Sequence, residues 1–220
     1  MLKWRRIGTI VTCVVIGTVA LTGICGCTID LVGLGPQPSS QATTPPASSQ
    51  APSSAVDSVK ATFTVAITAA DSFGSPPAGY RMTVLSAIAM RQAVPGFSPT
   101  LVSDLETSGK AAIARYFGPR QAAAERKALA SAMAFDANPR IINLGSGVTR
   151  ISFGPVELAG SAATVSAVVT AWQRAEARQS PAGTWLADAS VRVTRYTATL
   201  SRSMSGSWQV TGLTATTAAP

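Results

Sequence analysis

Histidine is absent from all 220 residues, and cysteine occurs only at Cys13, Cys25 and Cys27. The first absence excludes Ser-His-Asp triads, imidazole general bases and His-ligated metal sites. The second leaves no thiol beyond Cys27, hence no internal disulfide, cysteine nucleophile or Cys-held zinc in the rest of the chain. Negative charge is also scarce: ten Asp and Glu stand against 18 Lys and Arg, a formal net charge of +8. The ten carboxylates are expected mostly as solvated partners of the 18 basic residues. The sequence singles out no catalytic, cofactor-binding or metal-ligating residue.

What is present begins at the N-terminus. Lys3, Arg5 and Arg6 precede a charge-free run from Ile7 to Thr22, the order of an export signal. Gly23-Ile24-Cys25-Gly26-Cys27 then resembles a lipobox, in which the final Cys is diacylated and the signal is cut before it. Gly26 supplies the small residue before the cut and Ile24 the aliphatic residue three positions before the Cys. The resemblance implies a signal peptide over 1–26 and lipid-modified Cys27, which places the protein on the extracytoplasmic face of a bacterial cell membrane. The alternative is an uncleaved anchor. Ile7 to Cys25 is 19 residues without charge, and at 1.5 Å per residue it crosses most of a bilayer core. Under both readings the basic residues stay in the cytoplasm.

Residues 27–56 read as a tether. Pro36 to Ser54 contains only Pro, Gln, Ser, Ala and Thr, and no charge falls between Asp30 and Asp57. Such a segment has too little apolar surface to offset the cost of ordering it, and its prolines make it a semi-stiff spacer.

Residues 57–220 have the composition of a folded domain. Val59, Phe63, Ala66 and Ala70 keep helical spacing, although Phe63, Val65 and Ile67 also alternate; helix is the preferred reading. Residues 79 to 93 form an amphipathic pattern stopped by Pro95-Gly96. Ser98 is an N-cap with Pro99 at the first helical position. Leu101, Leu105, Ala112, Ile113, Tyr116 and Phe117 follow on one face, with Gly109 as a possible break. Ala122 to Phe135 gives another helix, closed by Asn138-Pro139. From Thr149 the period drops to two. Strands are expected over Thr149–Phe153, which Gly154-Pro155 ends, over Ala163–Glu176, over Trp185–Arg202 and over Ser207–Thr216, with turns at Ala159-Gly160-Ser161 and Met204-Ser205-Gly206. Helices followed by an antiparallel meander make an α+β domain, its N-terminal helices packed on a curved antiparallel sheet.

This organisation, ending in Ser207-Trp208-Gln209-Val210-Thr211, resembles the nuclear-transport-factor-like superfamily, which also holds SnoaL-type cyclases and ketosteroid isomerases. The likeness covers residues 57 to 216 and is strongest to exported domains of high-GC Gram-positive bacteria; Arg outnumbers Lys by 14 to 4. It implies a cone-like sheet wrapped on helices with a cavity at the open end. Isomerases of this superfamily pair a buried carboxylate base with a Tyr or protonated acid. Asp188 or Glu157 with Tyr196 or Tyr116 are the pairs to test.

The expected function is that of a non-enzymatic, lipid-anchored module without cofactor or metal, holding an envelope protein partner or a small hydrophobic ligand. Two alternatives stand beside it: a bitopic component of an export, conjugation or lipid-uptake assembly, and an enzyme with a carboxylate base in the cone. Arg115, Arg120, Arg126 and Lys127, and Arg192, Arg195 and Arg202, read as solvated faces. Nucleic acid is not an expected partner, because the chain is exported and lacks aromatic–basic interleaving. Trp172, Trp185 and Trp208 are expected in the core or a cavity wall.

Overall fold

The computed structural model describes residues 53–178 and 183–217. The expected signal, Cys27 and nearly all of the expected tether lie outside these residues. The first helix, α1 (Ser53–Asp71), takes in the last residues of the stretch read as tether. Val59, Phe63, Ala66 and Ile67 recur at helical spacing along it, and all are at most 1% exposed. Fully burying side chains of this size contributes about 1.5–3 kcal/mol each, so the stripe fixes α1 on the sheet.

Helix α2 (Ala78–Ala89) stops earlier than expected. Arg91 takes a left-handed conformation (φ 55), and Arg91 N–H and Gln92 N–H donate to the carbonyls of Ile88 and Ala87. A C-terminal cap of this kind ends a helix without needing Pro95. Helix α3 (Pro99–Tyr116) starts as expected: the Ser98 hydroxyl accepts from Leu101 N–H at 3.1 Å. It runs unbroken through Gly109. Helix α4 (Pro119–Asp136) follows directly, because Gly118 N–H donates to the Val210 carbonyl at 2.8 Å and pins the α3–α4 junction to the sheet.

Four strands follow: β1 (Ile141–Ala159), β2 (Ala162–Ala177), β3 (Leu186–Arg202) and β4 (Trp208–Thr217). They form one antiparallel sheet in sequence order. The fold class is therefore α+β, helices packed on a curved, open antiparallel sheet. Alternation sets the core face: Ala163, Val165, Ala167 and Val169 of β2, Tyr196, Ala198 and Leu200 of β3, and Trp208 and Val210 of β4 are buried together with the α1 stripe.

β1 differs from expectation at both ends. It begins eight residues before Thr149, and it does not end at Gly154-Pro155. The register with β2 shifts instead, there and at two earlier points. Proline is tolerated because β1 is an edge strand, and such bulges bend a sheet. The early part escaped the period-two reading because Gly145 and Gly147 interrupt it. Both make room for Trp172 of β2: a Cβ on Gly147 would lie 3.3 Å from Trp172 Nε1, and Gly145 has φ +123. Trp172 is thus a half-buried side chain laid across β1 rather than a core residue.

Candidate functional site

A cleft of about 480 Å³ opens where the α2–α3 connection, the end of α4, the start of β1 and the β2–β3 end of the sheet meet. Tyr80, Phe97, Val102, Met133, Ile141 and Trp185 give it apolar and aromatic walls. The aromatic walls are held by neighbouring groups. The Tyr80 and Phe97 rings meet edge to face at 4.8 Å, and Tyr80 Oη donates to the Pro95 carbonyl at 2.8 Å, which ties the connection to α2. The Arg178 guanidinium stacks 4.4 Å from the Trp185 ring centroid and donates to the Pro139 carbonyl at 3.2 Å.

The polar part of the wall is built around Asn143, which is 5% exposed. Its Nδ2 donates to the Gly74 carbonyl and to Asp136 Oδ1, both at 3.0 Å, and its Oδ1 accepts from Gly145 N–H at 2.8 Å. One side chain therefore joins the turn after α1, the end of α4 and the first bulge of β1. Burial pushes the Asp136 carboxyl up to about 7, against the opposing effect of the Asn143 hydrogen bond. Its second oxygen, Oδ2, is buried and has no hydrogen-bond partner among the described residues. It lies under the turn, where a Cβ on Gly74 (φ +73) would sit 2.5 Å away. Burial, with the Asp136 charge as a second cause, also raises Tyr80.

Known proteins add little to this geometry. No family model and no curated protein matches the chain. Among solved structures it is similar to the intermembrane space region of the chloroplast protein ARC6, with TM-score 0.37, 14% identity, and coverage of 64% of this chain and 93% of that one. It is also similar to an Ntf2-like protein involved in plasmid conjugation, with TM-score 0.33 and 12% identity over 57% of this chain and 43% of that one. Neither likeness speaks to ligand, partner or chemistry.

The tyrosine–carboxylate pairs suggested by sequence are not formed. Glu157 and Asp188 are exposed on β1 and β3. Tyr116 borders a second, more polar cleft of about 410 Å³ with Arg115, Arg202 and Trp208. Tyr196 is buried, but the carboxylates acting on it are Asp71 and Glu125, at the end of α1 and within α4. Burial first, then these two charges, pushes its phenol up to about 12. Burial raises Asp71 and Glu125 as well, and Arg192 meets Asp71 at 2.5 Å. Neither cleft is lined by this group, which reads as a polar cluster at the edge of the core. Likewise no three His, Cys, Asp or Glu side chains converge as metal ligands, and no helix is long and apolar enough to cross a membrane, among the described residues. Of the three tryptophans, only Trp185 lines the larger cleft; it precedes β3 rather than lying within it, while Trp208 is in the core.

Asp136 and Asn143 had no sequence signal. Asp136 sits where the Asn138-Pro139 stop marks a helix end, and Asn143 falls in the glycine-interrupted part of β1.

Proposed function

We propose that this protein is a lipid-anchored, extracytoplasmic binding module of the nuclear-transport-factor-like type. Diacylated Cys27 holds it at the membrane, and its folded domain takes a small apolar ligand, or an apolar segment of an envelope protein, in the larger cleft. The cleft carries this reading: it has the size and the aromatic lining of small-molecule sites. Catalysis is not part of the proposal. The one carboxylate in the wall among the described residues, Asp136, has Oδ1 bound by Asn143 and Oδ2 buried beneath the Gly74 turn. A general base must reach the proton it abstracts, and the engagement of one oxygen and burial of the other support a reading without catalysis.

The test is titration with N-phenyl-1-naphthylamine, whose emission rises in apolar surroundings. Saturable enhancement that falls at least several-fold in Trp185→Ala and Phe97→Ala, with unchanged melting temperature, is the expected result. Enhancement indifferent to both substitutions would place binding elsewhere and overturn the assignment of the cleft.

A further inference from the structure

β3 is covered unevenly. It pairs with β2 along its whole length, from Leu186↔Ala177 to Ser201↔Ala162, without a register shift. β4 reaches only the other half, from Thr194 to Arg202. The outer edge of 186–193 has no strand on it among the described residues. Its two faces are open too: Leu186 to Arg192 is a run of seven exposed residues, in which Leu186 is 51% and Val191 70% exposed.

An uncovered strand edge presents unpaired N–H and C=O groups and is normally blunted. The outer edge of β1 is blunted, by three register shifts and Gly154-Pro155. The β3 arm, Leu-Ala-Asp-Ala-Ser-Val-Arg-Val, has no proline, glycine, lysine or bulge. Its sequence is self-complementary about Ser190. In an antiparallel pair with its own copy and Ser190 opposite Ser190, each Asp188 stands opposite Arg192 on one face. On the other face Ala189 stands opposite Val191, and Ala187 opposite Val193. Opposite charges and small-to-branched apolar pairs of this kind stabilise sheets. A shift by one residue would set Asp188 against Val191 and lose both charge pairs. Arg192 already donates to Asp71 through one Nη2, but a guanidinium carries five donors, and the side chain is 58% exposed.

We infer that the 186–193 half of β3 is a self-association edge, joining two copies of this chain into a continuous antiparallel sheet across a two-fold axis at Ser190. One strand pair falls below the area of a permanent interface, so the dimer is reversible.

The test is oxidative cross-linking of full-length Ser190→Cys in membranes. Residues directly opposite in an antiparallel pair have Cα atoms about 4.5 or 5.5 Å apart, and both spacings admit a disulfide. Controls are the unsubstituted chain, whose cysteines all fall within the first 27 residues, and Arg195→Cys, exposed where β4 already covers the edge. The expected result is a species of twice the monomer mass, several-fold above both controls. No excess over the controls, or an adduct of another mass, would overturn the second copy as the occupant. The register is tested in the same background. Asp188→Arg and Arg192→Asp should each lower the cross-linked fraction several-fold, and the double variant should restore it. Because the double variant still lacks the Asp71–Arg192 link, recovery reports only the pairing between copies; equal loss in all three would overturn the register.

Discussion

Gly109, midway along α3, lies directly against Leu129 of α4: a Cβ at Gly109 would sit 2.7 Å from Leu129 Cδ1 and 2.9 Å from Cδ2. The missing side chain is what lets the two helices approach. Gly109→Ala sets two effects against each other. Helix propensity gains about 1 kcal/mol, while overpacking a site whose neighbour is 3% exposed costs about 1–3 kcal/mol. Overpacking should win, and the melting temperature should fall by a few degrees. In the Leu129→Ala background the same substitution should become neutral or stabilising, which thermal unfolding of the four variants measures. Simple additivity would show that the two side chains do not meet.

The cap of α3 is a local contact and should behave as one. Ser98 Oγ accepts from Leu101 N–H at an exposed helix start, and removing such a cap costs about 1 kcal/mol. Ser98→Ala should lower the unfolding free energy by that amount, read as a lower denaturant midpoint with unchanged m-value, and Ser98→Asp should retain most of the stability.

These two sites also divide what the sequence discloses from what it hides. Ser98-Pro99 was legible because cap, proline and first turn are neighbours in sequence. Gly109 was misread as a possible break because its reason is Leu129, twenty residues away in another helix. Ala163 to Val169 announced a core-facing strand by alternation alone. Gly154-Pro155 looked like a strand end, since tolerance of proline depends on β1 lying at the sheet edge. The cleft was less legible still. Trp185 was singled out as core or wall, but Asp136 and Asn143 acquire meaning only when the turn at Gly74 is brought beside them. Tyr196, one of two tyrosines offered as partners for Asp188 or Glu157, lies instead within the influence of Asp71 and Glu125. Nothing in the spacing of Asp71 and Glu125 points to β3.

Asp136 makes stability depend on pH. Its carboxyl titrates at about 7 in the fold against 3.8 as the reference value, so the folded state holds a proton that the unfolded chain has released between those values. The resulting stabilisation is fully present below about pH 4 and is lost as pH rises through 7. Asp71, Glu125 and Glu176 are raised by burial in the same direction, so the protein as a whole should be less stable at pH 8 than at pH 5. Asp136→Asn keeps an acceptor for Asn143 Nδ2 and removes the ionisation. It should flatten part of this slope, with its largest gain over the parent at pH 8. An unchanged slope in denaturant titrations at pH 5, 6, 7 and 8 would mean that Asp136 ionises without cost.

The proposed anchor makes a prediction at a single atom. If Cys27 Sγ carries the lipid, mass spectrometry of the N-terminal peptide from native membranes should find diacylglyceryl-Cys27 as the first residue. Cys27→Ala should then leave residues 1–26 attached, because the peptidase acts on the lipidated precursor. A parent chain that keeps Cys13 and Cys25 would instead mean that the charge-free run from Ile7 to Cys25 remains as a spanning helix. The domain would then belong to an assembly built around that helix. The two outcomes differ in how the domain is held. A lipid on a Pro/Ser/Thr tether leaves the domain to meet ligands in the envelope on its own, whereas a spanning helix adds intramembrane contacts that can fix its neighbours. Naphthylamine binding at the Trp185 cleft should be the same in both cases, since the wall residues from Tyr80 to Trp185 all belong to the folded domain.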